Sequence, residues 1–263
     1  MNPFKRPHTK ASERAGLHIR RMQRERAGII SQGDTLFRRA LNGQYGALID
    51  RHVEGARNAN EALRSLQGAS PNTDRIERGM QRFYLEAAQR FGAVGEEAVT
   101  GDKQRTKSDV YEREMREYLQ TVGGQKITQI SETTRGDIMR IIERRAADGQ
   151  GIDRIARALR DHIDVVSLAR GRMISRTEVI PASNKAVDVG ARQANIELEK
   201  EWITATDGRE REWHNEADGQ VVDMDDSFTV MNEQLDFPGD TKHGASAENV
   251  INCRCAHAPI PKE

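Results

Sequence analysis

Apolar residues recur at helical spacing through most of the chain and switch to alternation after residue 200. The clearest helical stripe is Ile76, Met80, Phe83, Tyr84, Ala87 and Phe91, on one face of a 3.6-residue repeat. Residues 11–69 read as helix, broken near Gly33-Asp34 and at Gly43, and Gly68-Ala69-Ser70-Pro71-Asn72 reads as a loop. Residues 100–107 read as a solvated linker, after which helix resumes over 108–122 until Gly123-Gly124 stops it. Ile138, Ile141, Ile142 and Arg145 share the face of a further helix, with Ser131, Thr133 or Thr134 as its cap and Asp148-Gly149-Gln150-Gly151 as its end. A short helix with Ile152, Ile155, Ala156, Leu159 and Ile163 follows. Two helices about a Gly-rich turn fit a helical hairpin better than a DNA-reading helix-turn-helix, because no recognition helix stands out. Residues 166–197 form the last long helical stretch, which Pro181 is expected to kink or restart, since proline lacks an N–H and clashes with the preceding turn.

Beyond residue 200 the period becomes two. Glu201-Trp202-Ile203-Thr204-Ala205-Thr206 alternates as a strand, and Asp207-Gly208 turns. Val221-Val222-Asp223, Phe228-Thr229-Val230 and Val250-Ile251-Asn252-Cys253-Arg254-Cys255 read as further short strands. In the first strand Trp202 and Thr204 share one face and Ile203 takes the other, which makes Trp202 a core candidate. The expected fold class is α+β, a mostly helical N-terminal region followed by a small C-terminal unit of helix plus antiparallel sheet. The expected division is a basic arm over 1–40, a helical region over 41–165 and an α+β domain over 166–263.

Charge changes this picture at the N-terminal end. The 263 residues carry 41 Lys and Arg against 41 Asp and Glu, yet the balance is uneven. Residues 1–165 hold 30 basic and 23 acidic groups, residues 166–263 hold 11 and 18, and the first 40 alone hold 10 and 3. Lys5, Arg6, Lys10, Arg14, Arg20, Arg21, Arg24 and Arg26 dominate that stretch, opposed up to Arg26 only by Glu13 and Glu25. On a helix these cations would surround the axis, which favours loose, salt-sensitive contact with DNA phosphates or an acidic protein face over site recognition. Such a polar arm is expected to add little to the core. No apolar run approaches the ~20 residues of a membrane span. The start Met1-Asn2-Pro3-Phe4-Lys5-Arg6 is not followed by the apolar stretch of a signal peptide, so membrane and secreted classes are not expected. Two cysteines are too few for a disulfide scaffold.

The polar residues of 202–257 offer the one constellation with candidate chemistry. Cys253 and Cys255, alternating on a strand, would point their sulfurs to one face, and His214 and His257 would complete a tetrahedral zinc set. Against zinc, the usual Cys-x₂₋₄-Cys spacing is missing and there is no second cysteine pair; buried free thiols packing as small hydrophobes fit better. A metal-dependent nuclease is the alternative function, with His214, Asp218 and His257, and Asn249 beside them, around a metal that polarises a phosphodiester. The plain structural alternative has Asp207 paired with Arg209 or Arg211 at a strand end, Asp218-Gly219 as a turn and Asn252 bonding its own loop. No Gly-rich phosphate loop or nucleophile elbow is present, and no cofactor is expected.

Taken in order, Ser175-Arg176-Thr177-Glu178, Asn184, Trp202, Asp207-Gly208-Arg209-Glu210-Arg211, His214, Asp218-Gly219-Gln220, Phe237-Pro238-Gly239-Asp240 and Asn249-Val250-Ile251-Asn252-Cys253-Arg254-Cys255 resemble the phage head morphogenesis family, the phage Mu F-like or SPP1 gp7-like minor head proteins. The resemblance covers roughly residues 130–258. It implies a non-enzymatic minor capsid protein of a tailed phage or prophage, located in the capsid interior near the portal and in the host cytoplasm during assembly. The implied partners are the portal protein and other capsid proteins, with double-stranded DNA a candidate for the basic arm. The family's characteristic positions fall here on Arg176, Thr177, Glu178, Asn184, Trp202, Asp207, Arg209, Arg211, His214, Asp218, Gly219, Pro238, Asn252, Cys253 and Cys255, none with an implied catalytic role. Pro181, within the helix that carries Arg176-Thr177-Glu178, departs from a straight helix there.

Overall fold

Helix α1 (Lys10–His52) runs unbroken through Gly33 and Gly43, where the sequence predicted breaks. Glycine costs a helix only about 1 kcal/mol relative to alanine, and the buried stripe Phe37, Leu41, Leu48 continues across Gly43 and outweighs that loss. The computed structural model describes residues 10–101 and 108–262, with side chains from residue 16 and, in the second stretch, from 109. Lys5 and Arg6, the side chains of Lys10 and Arg14, and most of the expected linker therefore lie outside the described residues.

Helix α2 (Ala59–Gln67) starts at Asn58, whose side chain accepts from the Glu61 N–H. The loop over 68–73 falls where predicted, and α3 (Asp74–Thr100) carries the predicted stripe, with Ile76, Met80, Phe83, Tyr84, Ala87 and Phe91 all buried. Helix α4 (Ser108–Ala147) passes through Gly123-Gly124 without stopping, because buried Leu119, Val122 and Ile127 carry the apolar face across them. Thr133 and Thr134 are not caps: their hydroxyls donate to the carbonyls of Gln129 and Ile130, one turn back inside the helix. Helix α5 (Ile152–Arg192) joins the two helices expected on either side of residue 165. Pro181 sits inside it, where buried Ile180, Ala182, Ser183 and Val187 hold the helical path. No helix among the described residues is long and apolar enough to cross a membrane.

The C-terminal strands are short. Strand β1 (Leu198–Ile203) is central in an antiparallel sheet with β2 (Val221–Asp223) and β5 (Ala256–Pro261) on its flanks; Trp202 lies opposite His257 in that register. Helix α6 (Glu212–Ala217) links β1 to β2. Strands β3 (Phe228–Val230) and β4 (Glu233–Leu235) form a hairpin over Met231-Asn232, both with positive φ, the geometry that matches strand twist. Strand β4 was not read from the sequence. Residues 250–255 are not a strand: α7 (Ala247–Val250) ends there, Asn252 turns the chain with φ 54°, and pairing begins only at Ala256. The α+β class holds, with helix dominating and a small antiparallel sheet at the C-terminal end.

The chain divides into two units, each assembled from separated stretches. One comprises Met1–Ser31, Arg82–Val122 and Ser175–Glu263; the other comprises Gln32–Gln81 and Gly123–Ile174. The boundary expected at residue 165 thus falls inside α5, and the described part of the arm is not a separate segment. In the second unit, Gln44 donates to the Ser131 hydroxyl, and Arg170 donates to the Tyr45 hydroxyl, the Thr134 hydroxyl and the Ile130 carbonyl. In the first, α3 and α5 cross backbone to backbone: a Cβ on Gly190 would lie 1.8 Å from the Gly92 carbonyl oxygen. An aromatic chain, Tyr84–Tyr118–Phe237–His257, lines the same unit with ring centroids 5.7–6.3 Å apart.

Candidate functional site

The end of β1 organises the site. Trp202 is fully buried, as its position in an alternating strand predicts, with its ring edge-on to Phe228 at 5.4 Å and to His214 at 5.6 Å. Its indole N–H donates to the Thr204 hydroxyl, which donates to the His214 carbonyl. Asp218 accepts the Thr204 N–H at 2.8 Å, and Gly219, at φ 82°, donates its N–H to the Trp202 carbonyl. Asp218-Gly219 is therefore the turn expected of such a pair.

His214 is held by α6 with its ring buried between Trp202 and the segment 249–255. The Asn249 amide nitrogen donates to the Val230 carbonyl and to Glu233 Oε2, which leaves Asn249 Oδ1 to accept from His214 Nε2 at 2.8 Å. That acceptor selects the tautomer with its proton on Nε2 and its lone pair on Nδ1. Cys255 Sγ and Cys253 Sγ lie 3.6 and 3.9 Å from that Nδ1. Both cysteines are buried free thiols. They share one side of His214 even though the segment is not a strand, because the Asn252 turn and the Cys255 N–H, which donates to Cys253 Sγ, fold it back. His257 does not join them; among the described residues the ligand cluster here is His214, Cys253 and Cys255.

A second network crosses the first unit. Arg26 is buried and donates to the Ser183 hydroxyl, Asn184 Oδ1 and the carbonyls of Arg254 and Cys255 at 2.7–3.1 Å. Burial lowers its pKa to about 10, so it stays a cation at neutral pH. Asn184 also donates to the carbonyls of Pro238 and Cys255. The arm expectation is corrected here: Arg26 is not available to DNA or to a partner, and Ile19, Met22 and Ile29 beside it are core. The signal was legible, since Arg26 occupies a stripe position between Met22 and Ile29. Arg21 pairs with Glu97, while Arg20 and Arg24 are exposed. His18, which belongs to no sequence motif, donates to the His257 carbonyl. Burial lowers the pKa of His18 to about 4 and that of His257 to about 3.

Arg26 also forms part of the wall of a cavity of about 630 Å³, together with Arg176, Arg209 and Arg254. Asp207, Asn252 and Cys253 line it as well. The pairing expected at the strand end is corrected: Asp207 takes two N–H groups of Arg254, at 2.8 and 2.9 Å, and from Arg209 only the backbone N–H. Arg211 instead donates to the Ile251 carbonyl. Of the remaining motif positions, Glu178 is buried and accepts from the Tyr84 hydroxyl, Pro238 is buried, and Thr177 is half-buried. The nuclease arrangement fails on geometry. Asp218 is engaged by the Thr204 N–H, and His257 lies outside the His214 cluster with both ring nitrogens unpartnered in the described structure.

Residues 136–258 match the family model described as Phage Mu protein F like protein. The chain is 31% identical over 116 residues to the minor head protein GP7 of Bacillus phage SPP1, a match covering 41% of this chain and 35% of that protein. It is 30% identical over 111 residues to the NAD(+)–arginine ADP-ribosyltransferase EFV of Enterococcus faecalis (strain ATCC 700802 / V583), covering 41% of this chain and 22% of that protein. The chain thus spans about a third of one relative and about a fifth of the other. No solved structure matches it significantly. Residues 136–258 are thus similar to the phage head morphogenesis family, and this matched stretch carries His214, Cys253 and Cys255 together with Arg176, Arg209 and Arg254 of the cavity wall.

Proposed function

We propose that the protein is a non-enzymatic minor head protein that acts at the portal vertex of a tailed-phage procapsid during assembly and genome packaging or delivery. The observation that carries this reading is the family match over 136–258, joined by the similarity to a minor head protein. The arginine-lined cavity gives the portal contact a chemistry. Arg176 and Arg209 are exposed at its wall, and its carboxylate, Asp207, is already engaged by Arg254. Such a recess accepts an acidic side chain from a portal subunit through charge-assisted hydrogen bonds. DNA contact falls to the N-terminal cations, of which Arg20 and Arg24 are exposed, with Lys5, Arg6, Lys10 and Arg14 adding to them. Six phosphate contacts would weaken binding by roughly 10³-fold between 50 and 200 mM salt.

Two measurements test the two contacts separately. Co-purification of the portal protein with the full chain is expected, and R176A/R209A should reduce its yield; an unchanged yield rejects the cavity as the portal contact. Duplex DNA should bind at low salt without sequence preference, with a salt slope that flattens in R20A/R24A. Absence of low-salt binding rejects the DNA contact and leaves the portal contact standing.

A further inference from the structure

We propose that His214, Cys253 and Cys255 bind one zinc ion, with Nδ1 and the two sulfurs as ligands and a water molecule in the fourth position. The site stands apart from the head-assembly reading. Tetrahedral zinc sits about 2.3 Å from thiolate sulfur and about 2.0–2.1 Å from imidazole nitrogen, so the nitrogen-to-sulfur edge of its coordination shell is about 3.6 Å. The two observed edges are 3.6 and 3.9 Å. All three ligand atoms lie within 4.8 Å of one another, and all three residues are buried.

Two further features point to a cation rather than to thiol packing alone. First, Nδ1 offers a single lone pair, yet two sulfurs converge on it. The two thiols also bond to one another, so one S–H···N and one S–H···S bond make up the metal-free arrangement; an ion among the three atoms would instead take Nδ1 and both sulfurs together. Second, Asn249 fixes the tautomer that leaves Nδ1 free to ligate, with its own amide anchored by Val230 and Glu233. Metal-binding imidazoles are commonly oriented by such a partner on the other ring nitrogen. Thiolate and imidazole ligands suit zinc over magnesium or calcium. Binding replaces two thiol protons, which leave to solvent, by one Zn²⁺. The loaded site is therefore neutral, and adds no net charge beside the buried Arg26 guanidinium that lies against the same segment. Cys253 also lines the cavity, through which water would reach the fourth position.

The test is metal analysis of the full chain, purified without a polyhistidine tag from zinc-supplemented cells. One zinc per chain is expected in the wild type and less than a tenth of that in C253S and in C255S. H243A should keep its zinc, since His243 belongs to a separate cluster with Asp236 and Asp240. If the cysteine variants fail to fold, cobalt titration of chelator-stripped wild type decides, because a tetrahedral dithiolate site gives intense visible bands together with thiolate-to-cobalt charge transfer. Zinc-free wild type lacking those cobalt bands, or zinc kept in C253S and lost in H243A, overturns the proposal.

Discussion

Asp207 and Arg254, 47 residues apart in sequence, meet as a two-point ion pair on the wall of the arginine-lined cavity. The pair clips the loop after β1 to the segment between the two cysteines. Both side chains are about a third exposed, so solvent screens the attraction. Arg254→Ala should therefore cost about 0.5–1 kcal/mol in urea unfolding, with most of the difference gone in 1 M salt. Arg209→Ala and Arg211→Ala should each leave the Asp207 pair intact. A loss for Arg209→Ala as large as for Arg254→Ala would contradict that.

Arg26 should behave in the opposite way from its neighbour Arg24. Its guanidinium satisfies four acceptors on two segments, so Arg26→Ala strands them and should cost about 3–5 kcal/mol. Arg24 is exposed, and Arg24→Ala should stay within about 0.5 kcal/mol of wild type. Paired denaturant melts of the two variants measure the contrast directly.

Trp202→Ala removes a fully buried indole that touches both Phe228 and His214. Losses of about 3–5 kcal/mol are expected for such a truncation, a large share of the ~5–15 kcal/mol margin of a typical domain. The protein should melt at a clearly lower temperature or accumulate as insoluble chain. An unchanged melting temperature would show that Trp202 is not a core residue.

Acid should weaken the first unit through two buried histidines. His18 and His257 have folded-state pKa values of about 4 and about 3, against 6.5 when unfolded, and burial is the leading cause for both. Below pH 6.5 the unfolded chain therefore binds more protons than the folded one, and stability falls as pH falls. From pH 6.5 to 5 each histidine removes about 1.5 kcal/mol. The loss continues until pH reaches the folded values and then levels off. His257→Gln should flatten the slope of stability against pH over that window; an unchanged slope would exclude His257 as a source.

The helical stripes and the strands at 221–223 and 228–230 were legible because apolar periodicity is a local signal. Trp202 was legible for the same reason. Helix ends were not: Gly33, Gly123 and Pro181 are poor helix residues by local preference, and buried neighbours along the same faces override them. Val250 and Ile251 have the apolar, β-branched character of a strand, whereas the chain turns at Asn252 in the left-handed region that asparagine tolerates, which takes the cysteines off any strand. Net charge over the arm makes Arg26 look like a surface cation, because a charge sum does not register which face of a helix each residue occupies. Its partners at 183–184 and 254–255 lie 157–229 residues away, beyond any windowed pattern.

The bond from His18 to the His257 carbonyl spans 239 residues, and the grip of Arg26 on the Cys255 carbonyl spans 229. Closing loops of that length is slow, because chain entropy must be lost before the contact forms. On the ribosome, the first helix emerges long before its partners exist. Arg21 and Glu25 can find Glu97 and Arg90 as soon as α3 exists, whereas Arg26 and His18 must wait for their acceptors at 255 and 257. The order of synthesis therefore completes the bonding of the N-terminal helix only at the far end of the chain, and a chain truncated before residue 255 would leave no acceptor at Cys255 for Arg26 and no carbonyl at position 257 for His18.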